Sequence, residues 1–399
     1  MTILYLVAER THPATSGSRI RASGIAAALE TLGPVVTAAL DEIDREDAWG
    51  AMCRRMVGRR ANLATRVLDR LRSMALGSPA LLERALGAGA AAAFDGLLER
   101  HQPTLIVLSR PYFGPFIGLA RLRGATVIVD ADESLVRAMA SVARSRASLY
   151  RRVQATLDGL AARRFEAREY RRVDQLWVSS PVERAHFGRL LPIERVREVP
   201  NLAPGSAQAD ADTPEVRDVR SVAFVGIYTY APNEEAATEL MTSIMPAIRA
   251  AGGPRTLVLV GRDPTTAMRR AADRTGDVTI TGTVDDPVRY LRDSGVLVVP
   301  IRAGAGSRVK ILEAMRAGIP VVTTARGLEG LGASEGVEVL VADTPAEFAA
   351  AVLRLRDDAE LRGQIVESAR AFVRERHSQA AVTAAVRAAV GELAASPPA

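Results

Sequence analysis

Residues 300–332 read PIRAGAGSRVKILEAMRAGIPVVTTARGLEGLG, and this stretch decides the fold. An apolar run ends at Pro300, and the small-residue loop Ala303-Gly304-Ala305-Gly306-Ser307 follows. A helix then begins near Ser307 and stops at Gly318, with Pro320 just beyond. Residues 321–323 read as the next strand. Strand, glycine-rich turn, helix and strand form the repeating unit of a parallel, doubly wound sheet. Glycines let a ligand come close to the backbone, and the open N–H groups of a first helical turn favour an anion. Arg308 and Lys310 fall in that turn, where cations oppose the helix dipole unless a doubly charged anion such as a diphosphate offsets them. Glu313 follows Lys310 by three residues on the same face, where a carboxylate can accept two ribose hydroxyls. The alternative is a plain i,i+3 surface ion pair, worth about 0.2–0.5 kcal/mol.

The same alternation extends in both directions. Downstream of residue 218, further strands are predicted at 222–225, 256–260, 278–281 and 296–299, with helices at 234–250 and from about 265. Terminal helices are predicted at 345–355, 359–374 and 379–394. Asp285 and Asp286 read as a loop and a helix N-cap rather than a metal site. Residues 200–218, PNLAPGSAQADADTPEVRD, lack an apolar period and mark a domain boundary. Upstream, strands are predicted at 3–8, 35–40, 105–109, 126–130, 175–179 and 195–199, with a helix at 20–32 and helices through 43–100. The fold class is therefore α/β, with two Rossmann-like, doubly wound domains. The expected division is 1–200 and 201–378, with 379–399 as a helix and tail packing back on the first domain.

Composition narrows the function. The chain has 399 residues, 48% hydrophobic and 25% charged, which suits two globular domains and excludes wholesale disorder. Cys53 is the only cysteine, so an internal disulfide and a Cys-rich zinc site are excluded. His12, His101, His186 and His377 lack metal-ligand spacing. The opening MTILYLV reads as a strand rather than a signal peptide, and no run is long and apolar enough to span a bilayer; a cytoplasmic protein is the expectation. Basic side chains number 52 against 46 acidic ones, and Lys310 is the one lysine among them. Ten arginines lie between Arg137 and Arg172, a basic helical face that could meet an anionic membrane or be simply solvated. Aromatics make up 4% of the chain and no RNA-module aromatics interleave these arginines, which argues against nucleic acid.

The segment GSRVKILEAMRAGIPVVTTARGLEG closely resembles the donor-binding motif of family 4 retaining glycosyltransferases, which have the GT-B fold. In-register matches are AFVGIYTYAPNEEA (223–236), VLVGRDP (258–264), VTITGTVDDPVRYL (278–291), QLWVSSPVE (175–183), VREVPN (196–201) and SGSRIR (16–21). The resemblance implies two domains around a cleft, an N-terminal acceptor domain, and a C-terminal domain for a nucleotide-diphosphate sugar. The donor base would be UDP, with GDP or dTDP as alternatives. It implies transfer with retention and neither cofactor nor metal. Glu313 matches the second glutamate of the family's E-x7-E motif and would hold the donor ribose. Gly306, Ser307 and Arg308 would line the diphosphate and sugar, with Lys310 near the phosphates. Gly226 and Gly17 would let the backbone approach the donor, and Arg19 would be a nearby cation. Ala305 stands where the first glutamate is expected, and the Arg and Lys that many members carry after residue 225 are missing. Arg308 and Lys310 are thus the expected catalytic cations. Asp132 and His12 are further catalytic candidates, each with an alternative: a helix cap for Asp132 and a surface loop for His12. The acceptor is either a small natural-product or aminocyclitol-type molecule or a lipid-linked or cell-envelope glycan. A non-catalytic GT-B partner protein is the rival that Ala305 supports.

Overall fold

The computed structural model describes residues 1–8, 11, 16–39, 90–144, 149–205, 217–304 and 308–395. His12, Gly306, Ser307 and the helices expected over 43–89 lie outside the described residues. The chain divides into two units, one taking in Met1–Leu202 and Gln379–Ala399, the other Ala203–Gly304 and Arg308–Ser378.

The first unit holds strands β1 (Ile3–Val7), β2 (Val35–Ala39), β3 (Leu105–Ser109), β4 (Thr126–Asp132), β5 (Gln175–Val178) and β6 (Val196–Glu198). They form one parallel sheet in the order β2-β1-β3-β4-β5-β6. Every residue of β1 and β3 is buried, which is why these strands read as unbroken apolar runs rather than alternating ones. β4 runs two residues past its predicted end, and its register against β5 shifts between Asp130 and Asp132. Asp132 takes φ +59° there, a left-handed conformation that is uncommon outside glycine.

The last helix, Gln379–Ala395, belongs to this first unit and packs on the Gly17–Glu30 helix. Its Val382, Val386 and Ala389 join the buried cluster that contains Ile25, Leu29 and Trp177. Polar bonds fix the seating: the Gln379 amide donates to the Gly24 carbonyl at 2.9 Å, and Gln175 donates to the Ala389 carbonyl at 2.8 Å. The C-terminal helix thus returns to the N-terminal sheet.

The second unit holds β7 (Val222–Val225), β8 (Leu257–Val260), β9 (Val278–Gly282), β10 (Leu297–Val299), β11 (Val321–Thr323) and β12 (Leu340–Val341). The parallel order is β12-β11-β10-β7-β8-β9. From β7 the chain winds outward through β8 and β9, then returns to the middle and winds the other way from β10. β7 and β10 are therefore neighbours at the topological switch point, where open α/β sheets bind ligands beyond the strands' carboxyl ends. The helix expected over 234–250 is broken into Ala231–Glu239, a π-turn at Leu240–Ile244, and Met245–Ala250. Pro246 has no N–H to give the preceding turn, and the wider turn absorbs that loss.

Candidate functional site

The switch point of the C-terminal sheet gathers the informative residues. The helix Val309–Arg316 starts after the β10 loop, with Arg308 at its N-cap, two residues later than the sequence suggested. Arg308 is buried, and its guanidinium donates to the carbonyls of Gly304 and Arg326, both at 3.3 Å. Arg326 also donates to the Gly304 carbonyl, at 3.2 Å. Gly304 sits at φ +95°, and a Cβ there would stand 2.7 Å from the Tyr230 hydroxyl. This turn needs glycine on both counts.

Lys310 is half-buried rather than projecting into water. Its Nζ donates to Asn233 Oδ1 at 2.7 Å and lies 4.3 Å from the centroid of the Phe224 ring. Asn233 is itself fixed, since its Nδ2 donates to the Ile227 carbonyl at 3.0 Å. Gly226 makes room for it: a Cβ on Gly226 would lie 2.9 Å from Asn233 Cγ. The ammonium therefore bonds an amide and an aromatic face instead of forming the surface ion pair with Glu313. Burial, and next the charge of Arg308, push the Lys310 ammonium down to about 7, with Glu313 opposing the shift. Glu313 moves the other way, pushed up to about 7 by burial and by the nearby Asp286 carboxylate, with Lys310 partly offsetting. Asp286 caps the Pro287–Ser294 helix, accepting from the N–H groups of Val288 and Arg289 at 3.0 and 3.3 Å. Without a ligand, the cation and the carboxylate each titrate near neutrality.

The N-terminal unit carries a second charged centre at the carboxyl end of its sheet. Arg21 and Asp130 are fully buried and bidentate, with Arg21 Nη2 2.6 Å from Asp130 Oδ1 and Nε 3.1 Å from Oδ2. Arg21 Nη1 also donates to the Val199 carbonyl and to Asn201 Oδ1, each at 2.9 Å. Asp132 is buried beside them, 3.1 Å from Arg110 and 3.8 Å from Arg21. Burial alone would raise its carboxyl, but Arg110 and Arg21 together hold it below the usual carboxylate range. Asp132 does not cap the Leu135–Arg144 helix. That work falls to Ser134 Oγ, which accepts from Arg137 N at 3.3 Å, and to Glu166, which accepts from Val136 N at 3.3 Å. Gly17 opens the Gly17–Glu30 helix, whose N-cap Ser16 accepts from Arg19 N at 3.4 Å.

The fold thus brings Arg308, Lys310, Glu313 and the Gly226 turn to one switch point, while Gly17, Arg19 and Asp132 belong to the other unit. Sequence reasoning did not name Asn233, Phe224, Arg21, Asp130 or Arg110. Three of these lie inside segments already quoted (223–236 and 16–21) and Asp130 ends the strand predicted at 126–130, so the signal was present as motif context without a partner attached. Among the described residues, no group of three or more His, Cys, Asp or Glu side chains is placed to hold a metal ion.

Two six-stranded parallel sheets with their helices, the second in Rossmann order, define the class: this is a GT-B fold. Within it, residues 219–358 match the family model described as glycosyl transferases group 1. No significant match was found among curated proteins. Among solved structures, the chain is similar to Anabaena HepE in complex with UDP-glucose, at 15% identity and a TM-score of 0.61, covering 98% of this chain and 100% of that one. It is similar also to sucrose-phosphate synthase from Thermosynechococcus elongatus, at 18% identity and a TM-score of 0.65, over 99% and 100% of the two chains. S. aureus TarM in complex with UDP aligns at 11% identity and a TM-score of 0.58, over 77% of this chain, which spans only 59% of TarM's length.

Proposed function

We propose that the protein is a glycosyltransferase that moves a sugar from a nucleotide-diphosphate donor to an acceptor hydroxyl with retention of configuration, and without a metal ion. The observation that carries this reading is the Lys310–Asn233–Phe224 arrangement beside Glu313 at the β7/β10 switch point. A diphosphate placed there meets the N-terminus of the Val309–Arg316 helix and a cation already aimed by two partners. Its charge would restore the proton on Lys310, which burial makes easy to lose. Glu313 accepts the donor ribose hydroxyls. By the motif resemblance Gly306 and Ser307 line the diphosphate and sugar, and Arg308 ties together the Gly304 and Arg326 carbonyls. UDP is the favoured nucleotide, since HepE is known with UDP-glucose. GDP and dTDP are the other arms of the test.

In the reaction, the bond from the sugar's anomeric carbon to the diphosphate oxygen breaks as the acceptor oxygen forms its bond to that carbon on the same face, and the acceptor's hydroxyl proton passes to the departing diphosphate oxygen. Lys310 and the helix terminus stabilise the charge that develops on the leaving group, so the rate comes from positioning and electrostatics. Asp132 is bound to Arg110 and held ionised, which makes it a weak base; it serves by orienting Arg110 in the acceptor domain. Gly17 and Arg19, at the start of the first helix, are the N-terminal unit's candidate donor contacts by the motif resemblance. The acceptor is a small natural-product or aminocyclitol-type molecule or a lipid-linked glycan.

A second reading, a nucleotide-binding partner without turnover, draws on Ala305 in place of a motif glutamate. A thermal-shift panel of UDP, GDP, ADP and dTDP with their sugars, followed by a donor-hydrolysis assay, separates the two. Stabilisation with hydrolysis supports the transferase. Stabilisation without hydrolysis, across candidate acceptors, supports the partner. No response to any nucleotide overturns both.

A further inference from the structure

The helix Leu149–Glu169 exposes an apolar stripe that the transfer reaction does not use. Leu149 is 73% exposed, Leu160 54% and Val153 50%, with Tyr150 beside them at 54%. At about 100° per residue, Leu149, Val153 and Leu160 fall within roughly 40° of one another, so they form one line along the helix. Arg152 and Arg163 flank this line on one side, and Arg164 and Arg168 on the other; all four are exposed. No exposed residue described on this helix is acidic. Asp158 lies only partly exposed on the far side, while Glu166 and Glu169 are buried among the helix's packing contacts. An open groove of about 410 Å³, lined by Leu160, Arg163, Arg164 and their alanine neighbours, runs along the same surface.

We propose that this face docks the protein flat on an anionic bilayer, with Leu149, Val153 and Leu160 entering the headgroup–acyl boundary and the arginines reaching lipid phosphates. Apolar side chains centred between cations, over a helix about 31 Å long, match an interfacial helix rather than a spanning one. Long arginine stems can lie along the apolar stripe while their guanidinium heads stay at phosphate level. The stripe itself is aliphatic, and Tyr150 is the one exposed aromatic described beside it, too little stacking surface for nucleic acid. Among the described residues, no helix is long and apolar enough to cross a membrane, so attachment of this kind would be peripheral.

Co-sedimentation of the full chain with vesicles made of equal parts phosphatidylglycerol and phosphatidylcholine, against phosphatidylcholine alone, tests the idea. Binding is expected only to the anionic vesicles, and it is expected to fall steeply at high salt. Arg163→Ala and Arg164→Ala should each weaken it about fivefold. Leu160→Glu combined with Val153→Glu should abolish it. Leu160→Trp should show blue-shifted emission on the anionic vesicles, as insertion requires and a purely electrostatic contact does not. Circular dichroism reports whether the glutamate variants fold. Should they not, Arg163→Glu with Arg164→Glu, both at exposed positions, carries the same reading. The proposal is overturned by no sedimentation at low salt, by unshifted Leu160→Trp emission, or by equal binding of the charge-reversed variants. It is also overturned if sedimentation velocity finds a dimer that Leu160→Glu dissociates, which would give the face to a second copy. None of these outcomes depends on nucleotide binding.

Discussion

Replacing Lys310 with methionine should make the protein more stable and its donor site worse. In the fold the ammonium is pushed down to about 7, against about 10.4 for a free lysine. Carrying that side chain at pH 7 therefore costs about 4 kcal/mol by linkage. That figure is net of the Asn233 bond and the Phe224 ring, because both act on the charged form and so are part of its pKa. Methionine, of similar length and apolar, removes that cost while leaving Asn233 Oδ1 without its donor, a loss of about 1–3 kcal/mol, so a net gain of at least about 1 kcal/mol remains. The melting temperature should rise by about 2–4 °C at pH 7. Because the depressed pKa penalises only the charged form, the gain is fully present below pH 7 and fades as pH approaches the unfolded value of about 10.4. UDP affinity should fall about 10- to 100-fold, the worth of a charge-assisted contact to a phosphate. Thermal unfolding with and without UDP, at neutral and alkaline pH, reads both effects. A Lys310→Met protein that melts lower at pH 7, or that binds UDP as well as the wild type, would refute the reasoning.

Nucleotide affinity should peak near pH 7, because Lys310 loses its proton above about 7 and Glu313 gains one below about 7. Calorimetric titration should show limbs approaching about tenfold per pH unit, with Lys310→Met flattening the alkaline limb and Glu313→Gln the acid one. Gly226→Ala should weaken UDP binding without touching a charge, since its Cβ would displace Asn233 and with it the acceptor of Lys310. A crystal structure of that variant with Lys310 unmoved would count against the account. Asp132→Asn should cost about 2 kcal/mol at neutral pH, less than a buried pair usually does, because Asp130 still holds Arg21 and Arg110 is partly solvated. Asp132 has a lowered pKa, so its contribution is present above about pH 4 and lost as pH falls through the folded value. Urea titrations of the variant should therefore lose part of the wild type's acid dependence.

Most of the strand framework was legible because parallel strands buried on both faces are written as apolar runs; β3 and β7 fall at their predicted bounds. The misses have local causes. β12 is two residues long, too short for any periodic signal. The 234–250 helix hides a π-turn behind an unbroken pattern, although Pro246 marks it. Asp132 was legible as a candidate and not as what it does, since its role depends on a bulged strand end and on arginines far away in sequence. At the donor site, the 3-residue spacing of Lys310 and Glu313 was readable. The partner that fixes Lys310 was not, since Asn233 lies 77 residues away, and in the other unit Asp130 likewise lies 109 residues from Arg21. Helix periodicity reports neighbours within one turn, while pairs like these are made by sheet order.

The single lysine then has a physical explanation. Buried arginines in this protein are met by carboxylate or carbonyl oxygens: Arg21 by Asp130 and Val199, and Arg308 by Gly304 and Arg326. A guanidinium keeps its charge at every accessible pH and needs such oxygens to be buried at all. The position over Phe224 offers one amide oxygen and a ring face, too little for an arginine while no anion is present. A lysine can shed its proton there and regain it when a diphosphate arrives, so the site tolerates being empty. Lys310→Arg should accordingly fare worse than Lys310→Met in the unliganded protein, melting lower at pH 7, and UDP should narrow the gap. If Lys310→Arg melts like the wild type without nucleotide, the choice of lysine at this position has some other cause.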